Sequence, residues 1–430
     1  MFNTLKLINA ILMTIISVFY FNQMFNFLIS LFTKKKKYSE AKVNHKFAYL
    51  ICARNEENVI GSLIDSIKSQ DYPLDKMEIF VTSDNSSDKT AVKAKAHGAI
   101  VFERFDKKNI GKSYAMDWSF KKIMEEYSDL EIEAFIILDA DNLVSTDFSK
   151  ELNKAYDDAI NNNKTRVITC FRAPKNFSAS WCSACGGYLF LRENYHMHHS
   201  RSALNIGTYV SGTGYLIDYS YIKEFSGWPF HTLVEDIEIS TFLASRGEKI
   251  GYCENAIFYD DQPKTIKYSW RQRMRWCKGT HQVFGKYGFK LLKSLIKKPS
   301  LTKWGMFVHI SPLPAISFIW VLVYLLVGGV YAILAKVPFN DYFNSCMFFG
   351  LLDILVSLAI SFVMCGVSAL QGWKKINASF FCKIFYYLFF PFFMFLYLPI
   401  TTISLFINVK WKPIKHSSYY DKKKIEKETR

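Results

Sequence analysis

The chain lacks the patterns that mark a zinc finger or a repeat protein. Its nine cysteines are scattered, and only Cys182 and Cys185 form a CxxC pair. A structural zinc site needs a second pair or histidines at ligand spacing. His196, His198 and His199 lie too close together for that spacing, and no internal repeat or low-complexity segment occurs. The cysteines are therefore expected to be reduced thiols in a cytosolic setting.

The N-terminal apolar run also lacks the pattern of a cleaved signal peptide, which carries positive charges before the run and a small-residue cleavage site after it. Residues Leu5 to Phe32 are almost wholly apolar, long enough to span a bilayer, and followed at once by Lys34 to Lys37. Positive charges mark the cytoplasmic flank of a membrane segment. We therefore expect residues 1–33 to form an uncleaved transmembrane anchor, with the N-terminus outside and the next domain in the cytoplasm.

Composition indicates separate soluble and membrane parts. Hydrophobic residues make up 50% of the 430 residues, and the 38 phenylalanines indicate membrane contact. The charged share of 21% is too high for a protein that lies wholly in the membrane. The formal net charge is +16, and the basic residues cluster beside apolar runs. This pattern favours attraction to an anionic lipid bilayer, so no nucleic-acid partner is expected.

Residues 45–285 have the composition of a soluble α/β domain. Strands and helices alternate, and the expected strands are Phe47 to Cys52, Glu78 to Thr82, Ile100 to Glu103 and Phe135 to Leu138. The expected helices between and after them are Val59 to Ser69, Lys89 to Ala96 and Lys112 to Met124. Such alternation predicts a mainly parallel, doubly wound sheet, whose ligands bind beyond the carboxyl ends of its strands.

The remaining chain is expected to contact the membrane. Residues 286–300 are basic and amphipathic, as in an interfacial helix. Within residues 304–409, three apolar stretches are long enough to span: Phe307 to Ala335, Phe343 to Leu370 and Phe380 to Val409. Three crossings from a cytoplasmic domain would put the basic tail, residues 410–430, outside, whereas its lysines indicate the inside. Either one stretch is re-entrant or interfacial, or the charge rule fails here.

The strongest sign of chemistry is Asp139-Ala140-Asp141, which follows the strand Phe135 to Leu138 directly. Two carboxylates one residue apart at a strand end can hold a divalent cation, because hard cations prefer oxygen ligands. Such a cation would neutralise the charge that develops on a departing nucleoside diphosphate. The alternative interpretation is an ordinary acidic turn.

Two clusters follow other elements of the predicted sheet. Asp84 and Asp88 can accept hydrogen bonds from a base or ribose, although such a run can also cap the helix after it. Gly111 permits close backbone approach before a helix. Lys112 is a point charge suited to phosphate, or else a solvated lysine in an ordinary loop.

Two more clusters lie farther along the chain. In Val234-Glu235-Asp236 an acid can serve as general base toward an acceptor hydroxyl, and Glu238 competes for this role. The run Gln272 to Trp276 ends the soluble region. Its Arg275 offers a planar fork for a diphosphate, and its Trp276 offers a flat apolar face for a sugar ring. An amphipathic interfacial helix, where Arg and Trp are common, is the alternative.

Taken in order, these motifs resemble those of the inverting family 2 glycosyltransferases over about Ala48 to Gly279. The runs that carry the resemblance are Ile51 to Glu57, Leu63 to Pro73, Asp84 to Thr90, Asn109 to Lys112, Asp139 to Asp141, Gly212 to Gly214, Val234 to Asp236 and Gln272 to Trp276. The last run is typical of the membrane-bound processive branch, which includes the hyaluronan, chitin, cellulose and poly-N-acetylglucosamine synthases. One anchor before the domain and three apolar stretches after it look like the chitin-oligosaccharide and hyaluronan synthase arrangement. The resemblance implies a GT-A-like, doubly wound mixed-sheet domain inserted between transmembrane helices.

The resemblance also implies a role for each matching donor-site residue. Ala53, Glu57 and Asp84 would hold uridine. Lys112 would meet the donor phosphate, Asp139 would contact the nucleotide sugar, and Asp141 would ligate Mg2+ or Mn2+.

On the acceptor side, Asp236 would be the general base. The acceptor site would be shaped by Gly212, Thr213 and Gly214. The diphosphate and the acceptor end would be bound by Gln272, Arg275 and Trp276. Two positions depart from the family pattern: Val234 replaces the usual Thr, which could alter acceptor positioning, and Ser83 replaces the first acid of the DDxSxD pattern. Neither removes an expected catalytic group.

The expected reaction is a single displacement with inversion, in which a sugar hydroxyl deprotonated by Asp236 attacks the anomeric carbon of a UDP-sugar. The resemblance favours UDP-N-acetylglucosamine as donor and a growing polysaccharide as the glycan acceptor. The enzyme would be processive, coupled to export, and a multi-pass protein of the plasma membrane with a cytoplasmic catalytic domain. The rivals are a non-processive transferase acting on a lipid carrier or glycolipid, and an inactive membrane scaffold or transporter.

Overall fold

A computed structural model of the chain describes residues 1–162 and 165–409. It begins with a 31-residue helix, α1 (Phe2–Phe32), which the sequence predicted as an anchor. Few of its residues are buried against the rest of the protein. A helix that is apolar on all sides and little covered by protein suits a lipid surrounding.

Eight strands of the described residues form one mixed sheet, in the order β3-β2-β1-β4-β7-β6-β8-β5. Their bounds are β1 (Phe47–Ala53), β2 (Met77–Asp84), β3 (Ile100–Arg104), β4 (Ala134–Asp139), β5 (Leu143–Val144), β6 (Val167–Pro174), β7 (Tyr215–Asp218) and β8 (Gly251–Asp260). Strands β3, β2, β1 and β4 are parallel neighbours, whereas β7 pairs antiparallel with both β4 and β6. The four expected strands are confirmed, and the antiparallel β7 makes the sheet mixed.

The burial of strand β1 explains why the chain has an unbroken apolar run at this point. Phe47, Tyr49 and Ile51 enter the hydrophobic core on one face of the sheet, while Ala48 and Leu50 enter the core on the other. A strand whose two faces are both covered has no solvent side on which polar residues would alternate.

The register brings three of the predicted clusters to one edge of the sheet. In β1, Ala53 pairs with Ser83 of β2, and Cys52 pairs with Asp139 of β4. Because these strands are parallel, their carboxyl ends meet at the same edge, where ligands of such sheets bind.

Nine α-helices of the described residues pack on the sheet or continue from it. They are α2 (Ile60–Lys68), α3 (Thr90–Ala96), α4 (Lys112–Glu126), α5 (Phe148–Asn161), α6 (Trp181–Arg192), α7 (Ser200–Ala203), α8 (Tyr219–Phe225), α9 (Glu235–Arg246) and α10 (Ile266–Lys297), with a π-helical turn at Glu193–His199 between α6 and α7. The stretch expected as an interfacial helix, residues 286–300, is not a separate helix, because most of it is the second half of α10. Gly279 does not break α10; it allows close packing, since a Cβ there would lie 2.7 Å from a Val234 methyl group.

The C-terminal part is helical as far as Phe406. Its helices are α11 (Leu301–Ile310), α12 (Leu313–Leu334), α13 (Phe339–Tyr342), α14 (Phe348–Gln371), α15 (Phe380–Tyr387), α16 (Phe390–Phe395) and α17 (Tyr397–Phe406), with a π-helical turn at Phe343–Met347. The first expected stretch is divided at Ser311 and Pro312, because proline cannot continue a helix from the preceding turn.

Three helices of the described residues are long and apolar enough to cross a membrane: α1, α12 and the run Phe339–Gln371. The pair formed by α15 and the run Phe390–Phe406 passes the same test only as one unit, which is bent by 43°. The basic tail, residues 410–430, lies outside the described residues.

Candidate active site

A cavity of about 710 Å³ lies at the carboxyl ends of the parallel strands. Ten of the thirteen residues singled out from the sequence line it: Ala53, Asp84, Lys112, Asp139, Asp141, Gly212, Asp236, Gln272, Arg275 and Trp276. The fold therefore collects into one space groups that come from widely separated positions in the chain.

Three of the predicted site residues lie behind the cavity wall. The Glu57 carboxylate accepts the backbone N–H of Lys89 at 3.0 Å, and its neighbour Glu56 lines the cavity in its place. Thr213 lies beneath the acidic turn, where its hydroxyl accepts the backbone N–H of Asp139 at 2.8 Å. Gly214 adopts a φ of +65°, and a Cβ there would overlap the ring of Phe258.

Asp84 is fixed at the cavity wall by Arg104. The guanidinium Nη1 donates to Asp84 Oδ1 at 2.5 Å, and both side chains are buried. Burial raises the pKa of Asp84, while the bond to Arg104 acts in the opposite direction. Asp88 is used locally instead, because it accepts the backbone N–H groups of Thr90 at 3.0 Å and Glu57 at 3.2 Å.

Lys112, the first residue of α4, points across the cavity. Its Nζ donates to the Asp139 carboxylate and, at 2.8 Å, to the carbonyl oxygen of Gly212. Burial lowers the pKa of Lys112, but the nearby charges of Asp139 and Glu235 outweigh burial and leave the pKa above its usual value. The ammonium group therefore carries its charge at neutral pH, as a phosphate-binding group must.

The acidic turn is held rigidly from beneath. Besides Thr213, the side-chain oxygen of Asn142 accepts the Asp139 N–H at 3.1 Å, and Thr213 donates to that same oxygen at 2.6 Å. Lys175, itself buried, donates to the backbone carbonyl of Asp141. With its backbone fixed in this way, the turn presents two carboxylates to the cavity.

These carboxylates suit a divalent cation that is shared with a ligand. No three His, Cys, Asp or Glu side chains form a closed metal site anywhere in residues 1–162 and 165–409. Mg2+ and Mn2+ commonly take one or two protein carboxylates and complete their coordination with phosphate and water oxygens. Eight carboxylic acids line the cavity, against five lysines and arginines, so a diphosphate there needs an additional positive charge. Asp141, with Asp139 beside it, therefore fits such an ion.

The structure separates the acids that the sequence left as alternatives. Asp236 is in the first turn of α9 and lines the cavity, and a Cβ on Gly212 would lie 3.8 Å from its Oδ2. Burial raises the pKa of Asp236. Burial, with the charge of Asp236, raises the pKa of the neighbouring Glu235 to about 7, although Lys112 acts against this shift. Glu238 is fully buried away from the cavity, where it accepts the Thr232 N–H at 2.8 Å and pairs with Lys286 at 2.5 Å.

The first half of α10 forms another wall of the cavity. Gln272, Arg275 and Trp276 are spaced i, i+3 and i+4, so they share one face of the helix. Arg275 Nη1 donates to the carbonyl oxygen of Leu233 at 2.9 Å, which connects this wall to the loop before Asp236. Trp276 is half-buried, and Phe190 meets it edge-on with ring centroids 6.0 Å apart.

Several cavity residues escaped the sequence analysis. They include Tyr114 and His231, whose rings stack 4.5 Å apart, and Arg172, Asp260 and Gln262. Asp260 and Gln262 lie at and just after the end of β8, a strand that the sequence analysis did not predict. The polar run before Pro263 was the signal that could have revealed them.

Comparisons with known proteins identify the family to which the chain belongs. The family model described as "Glycosyl transferase family group 2" matches residues 134–407, which is more than half of the chain. The probable glycosyltransferase YdaM of Bacillus subtilis (strain 168) is 28% identical over 267 residues, covering 56% of this chain and 57% of that protein. A poly-beta-1,6-N-acetyl-D-glucosamine synthase of Staphylococcus aureus (strain MSSA476) is 24% identical over 294 residues, covering 65% of this chain and 64% of the synthase. The chain thus spans less than two thirds of the length of either relative.

The fold has a close match among solved structures. The mannosyltransferase PcManGT from Pyrobaculum calidifontis, in complex with GDP-Man and Mn2+, superposes with a TM-score of 0.55 at 14% identity, covering 93% of this chain and 99% of that one. This likeness confirms the GT-A fold class that the resemblance implied. The family model, which matches more than half of the chain, goes further: the chain belongs to glycosyl transferase family group 2.

Proposed function

We propose that the enzyme transfers a sugar, with inversion, from a UDP-sugar to a growing polysaccharide at the cytoplasmic face of the plasma membrane. The observation that carries the proposal is the single cavity lined by Asp141, Asp236 and Trp276. These residues supply, in one space, an oxygen ligand for a cation, a base and a flat surface for a sugar. The donor that we propose is UDP-N-acetylglucosamine, because a relative is described as a synthase of poly-beta-1,6-N-acetyl-D-glucosamine.

On the donor side, Ala53 and Asp84 would hold the uridine, and Lys112 would hold the phosphates. Asp141, with Asp139, would bind Mg2+ or Mn2+, which supplies charge stabilisation for the departing diphosphate. Lys112 is bonded to Asp139 in the cavity, so an incoming phosphate would replace a carboxylate oxygen as its partner. Exchange of one anionic partner for another keeps the half-buried ammonium group of Lys112 paired at each stage.

On the acceptor side, Asp236 would take the proton from the attacking hydroxyl at its carboxylate oxygen. Burial raises the pKa of Asp236, which makes its carboxylate a stronger base than that of a solvated aspartate. Arg275, fixed by its bond to Leu233, would face the charge on the leaving diphosphate. Trp276 would support the terminal sugar of the acceptor.

The contacts of the membrane helices support a topology with three crossings. The end of α1 that is far from the catalytic domain is at Phe2. Its ring meets that of Tyr331, near the end of α12, with the centroids 5.2 Å apart. The other end of α1 is next to the catalytic domain, where the Thr33 hydroxyl hydrogen-bonds His199 at 3.1 Å. We call the membrane side on which this end lies the near side. Helix α14 returns to this near side, because Gln371 Nε2 donates to the Ser30 carbonyl at 3.0 Å. Helices α1, α12 and the run that ends with α14 would therefore each cross once.

The bent segment α15 to α17 begins and ends on the near side. Just before it, the Asn377 carbonyl accepts the hydroxyl of Ser178, a residue of the catalytic domain, at 3.2 Å. Just after it, Val409 lines the active-site cavity. This segment would therefore enter the membrane and return, which would leave Val409, the last described residue, on the catalytic side. Such a topology removes the conflict between the number of apolar stretches and the lysines of the tail.

The decisive experiment supplies membranes that contain the full chain with radiolabelled UDP-sugars and Mg2+ or Mn2+, followed by sizing of the product. We expect long polymer from UDP-N-acetylglucosamine only. A single sugar on a lipid would favour the non-processive alternative. Absence of UDP release from every UDP-sugar would overturn the proposal.

A further inference from the structure

Phe190 of α6 lies between two residues of the cavity wall. On one side, the guanidinium carbon of Arg172 lies 3.6 Å from the centre of its ring. On another side, Phe190 meets Trp276 edge-on, with an angle of 79° between the rings. Phe190 is only 5% exposed and is not itself part of the cavity wall.

Arg172 is in turn bonded to the support of the acidic turn. Its Nη2 lies 2.7 Å from Asp260 Oδ2, and Asp260 Oδ1 accepts Asn142 Nδ2 at 2.9 Å. Asn142 is the residue whose side-chain oxygen holds the Asp139 N–H. Arg172 also donates to the carbonyl oxygen of Ser211, beside Gly212, at 3.1 Å. The donor side and the indole of Trp276 are thus connected through contacts of Arg172 and Phe190.

The helix that carries Phe190 is itself closely seated. A Cβ on Gly187 would lie 2.9 Å from the Pro174 side chain, so the absence of a side chain lets α6 approach the end of β6. Residues packed this tightly have one arrangement and do not adjust continuously. Phe190 therefore has a fixed position, and its contact with Trp276 can determine the orientation of the Trp276 indole plane.

From these contacts we infer that Phe190 is a positioning residue for the acceptor. It would orient Trp276 so that the terminal sugar of the glycan lies at the correct distance from Asp236. Arg172, which contacts both Phe190 and Asp260, would hold Phe190 at a fixed position relative to the donor side of the cavity. The inference rests on the proposed function, because it assumes that Trp276 supports the acceptor sugar. Its consequence is that polymer length depends on a residue that touches neither substrate.

The test compares Phe190→Leu, Phe190→Tyr and the matched control Phe177→Leu in the detergent-solubilised full chain. Phe177 is also buried, and its ring meets those of Tyr188 and Tyr386, with centroids 5.0 Å and 6.4 Å away, rather than that of Trp276. The substrates are UDP-N-acetylglucosamine and a β-1,6-linked N-acetylglucosamine pentasaccharide. We expect Phe190→Leu to raise KM for the pentasaccharide about 2- to 10-fold, the range for loss of an edge-to-face aromatic contact, and to shorten the polymer. KM for the UDP-sugar should stay unchanged, and the rate of UDP release in the absence of acceptor should also stay unchanged. Phe190→Tyr should restore the polymer length.

A second measurement does not depend on activity. Phe190→Leu should alter tryptophan emission and its quenching by acrylamide, and this difference should vanish when Trp276→Phe is present in both proteins. The inference is overturned if the difference persists without Trp276, or if no difference exists. It is also overturned if active protein shows equal pentasaccharide KM and polymer length for Phe190→Leu and Phe177→Leu. An unmodified enzyme that releases no UDP, but shows the Trp276-dependent emission change, would count against the proposed function and leave the positioning contact established.

Discussion

The Glu238 carboxylate accepts the backbone N–H of Thr232 at 2.8 Å, and thereby fixes the loop that leads to Asp236. Lys286 of α10 bonds the same carboxylate at 2.5 Å. Two acids that are two residues apart thus face opposite ways, since Asp236 lines the cavity and Glu238 joins the loop to α10. Asp236 therefore has the position that the proposed base requires, whereas Glu238 connects the loop to α10.

This separation predicts different effects for Asp236→Asn and Glu238→Gln. The amide of Asp236→Asn cannot take a proton, so turnover should fall by about 10²- to 10⁴-fold, the usual range for a general base. UDP-sugar binding should persist, because the proposed role of Asp236 is toward the acceptor and not toward the donor. Glu238→Gln should lower the thermal midpoint, because it weakens the bond to Lys286, while turnover per folded molecule stays within about tenfold of the original. Loss of donor binding in Asp236→Asn would show that Asp236 is a donor ligand.

The metal site makes a separate prediction for Asp141→Ala. Loss of this ligand should reduce Mn2+- or Mg2+-stimulated turnover by about 10²-fold or more, since Lewis-acid stabilisation is worth several kcal/mol. The thermal midpoint should stay close to that of the original chain. Asp129→Ala, at an exposed position away from the cavity, is the matched control and should retain full turnover. Turnover that survives a chelator, or survives Asp141→Ala, would exclude this metal site.

The sequence was sufficient for the strands whose two faces are buried and for the groups at their ends. Phe47 to Cys52 and Phe135 to Leu138 are apolar runs bounded by polar clusters, and both are strands whose carboxyl ends lead into the cavity. The motif order alone brought Asp139, Asp236 and Trp276 together as one expected site, and the structure places all three on one cavity.

Residues that act through tertiary contacts could not be found in this way. Arg172 is in the interior of a strand, and only the fold brings it to Asp260 and Phe190. The distinct environments of Asp236 and Glu238 depend on which way the turn before α9 faces, and local sequence does not specify this. The same holds for α15 to α17, whose apolar composition suits a crossing, whereas the contacts of Asn377 and Val409 support the proposal that both ends lie on one side.

Glu235 predicts a pH dependence of stability. Its pKa is about 7 in the folded chain, compared with a usual value of 4.5, because of burial first and the charge of Asp236 next. Between these values the folded protein binds more protons than the unfolded chain, so this contribution to stability falls as pH rises from about 4.5 to 7. Lys112 and Arg275 oppose the shift and keep it from being larger.

Glu235→Gln stays neutral and should remove this contribution. The thermal midpoint of the variant relative to the original chain should therefore increase from pH 5 to pH 8. Glu103→Gln, an exposed replacement of the same kind, provides the control for general effects of charge. A midpoint difference for Glu235→Gln that is flat across this range would contradict the assignment.

The proposed topology predicts opposite labelling of two loops. Lys336 lies between α12 and α13, and Asn377 lies before α15. In the proposed topology, Lys336 would be on the side of the membrane opposite the catalytic domain, and Asn377 would be on the same side as that domain. In intact cells, a membrane-impermeant maleimide should label Lys336→Cys and leave Asn377→Cys unlabelled. Both should react after the membrane is permeabilised. The unmodified chain, with its nine cysteines, gives the background. External labelling of Asn377→Cys would place α15 to α17 across the membrane.

The last prediction concerns Trp276, which lies where α10 passes from the cavity toward its basic second half. If the indole supports the acceptor sugar, Trp276→Ala should lose polymer formation more than UDP release without acceptor, because the contacts of Asp141 and Lys112 with the donor remain. Trp276→Phe should be milder, since a flat apolar face survives.

The competing explanation is that Trp276 only anchors α10 at the membrane surface, where tryptophan is common. An anchor predicts poorer insertion or yield, with normal product per folded molecule. A tryptophan that supports the acceptor sugar predicts normal yield with short product.

The two explanations are separated by measuring UDP release and polymer length on equal amounts of folded protein, with Trp373→Ala as a control at another tryptophan that does not line the cavity. Polymer of full length at normal yield from Trp276→Ala would show that the indole does not support the acceptor sugar. Short product from Trp276→Ala, with UDP release preserved, can arise only if the indole acts after the donor is bound, at the step in which the chain is held for the next sugar.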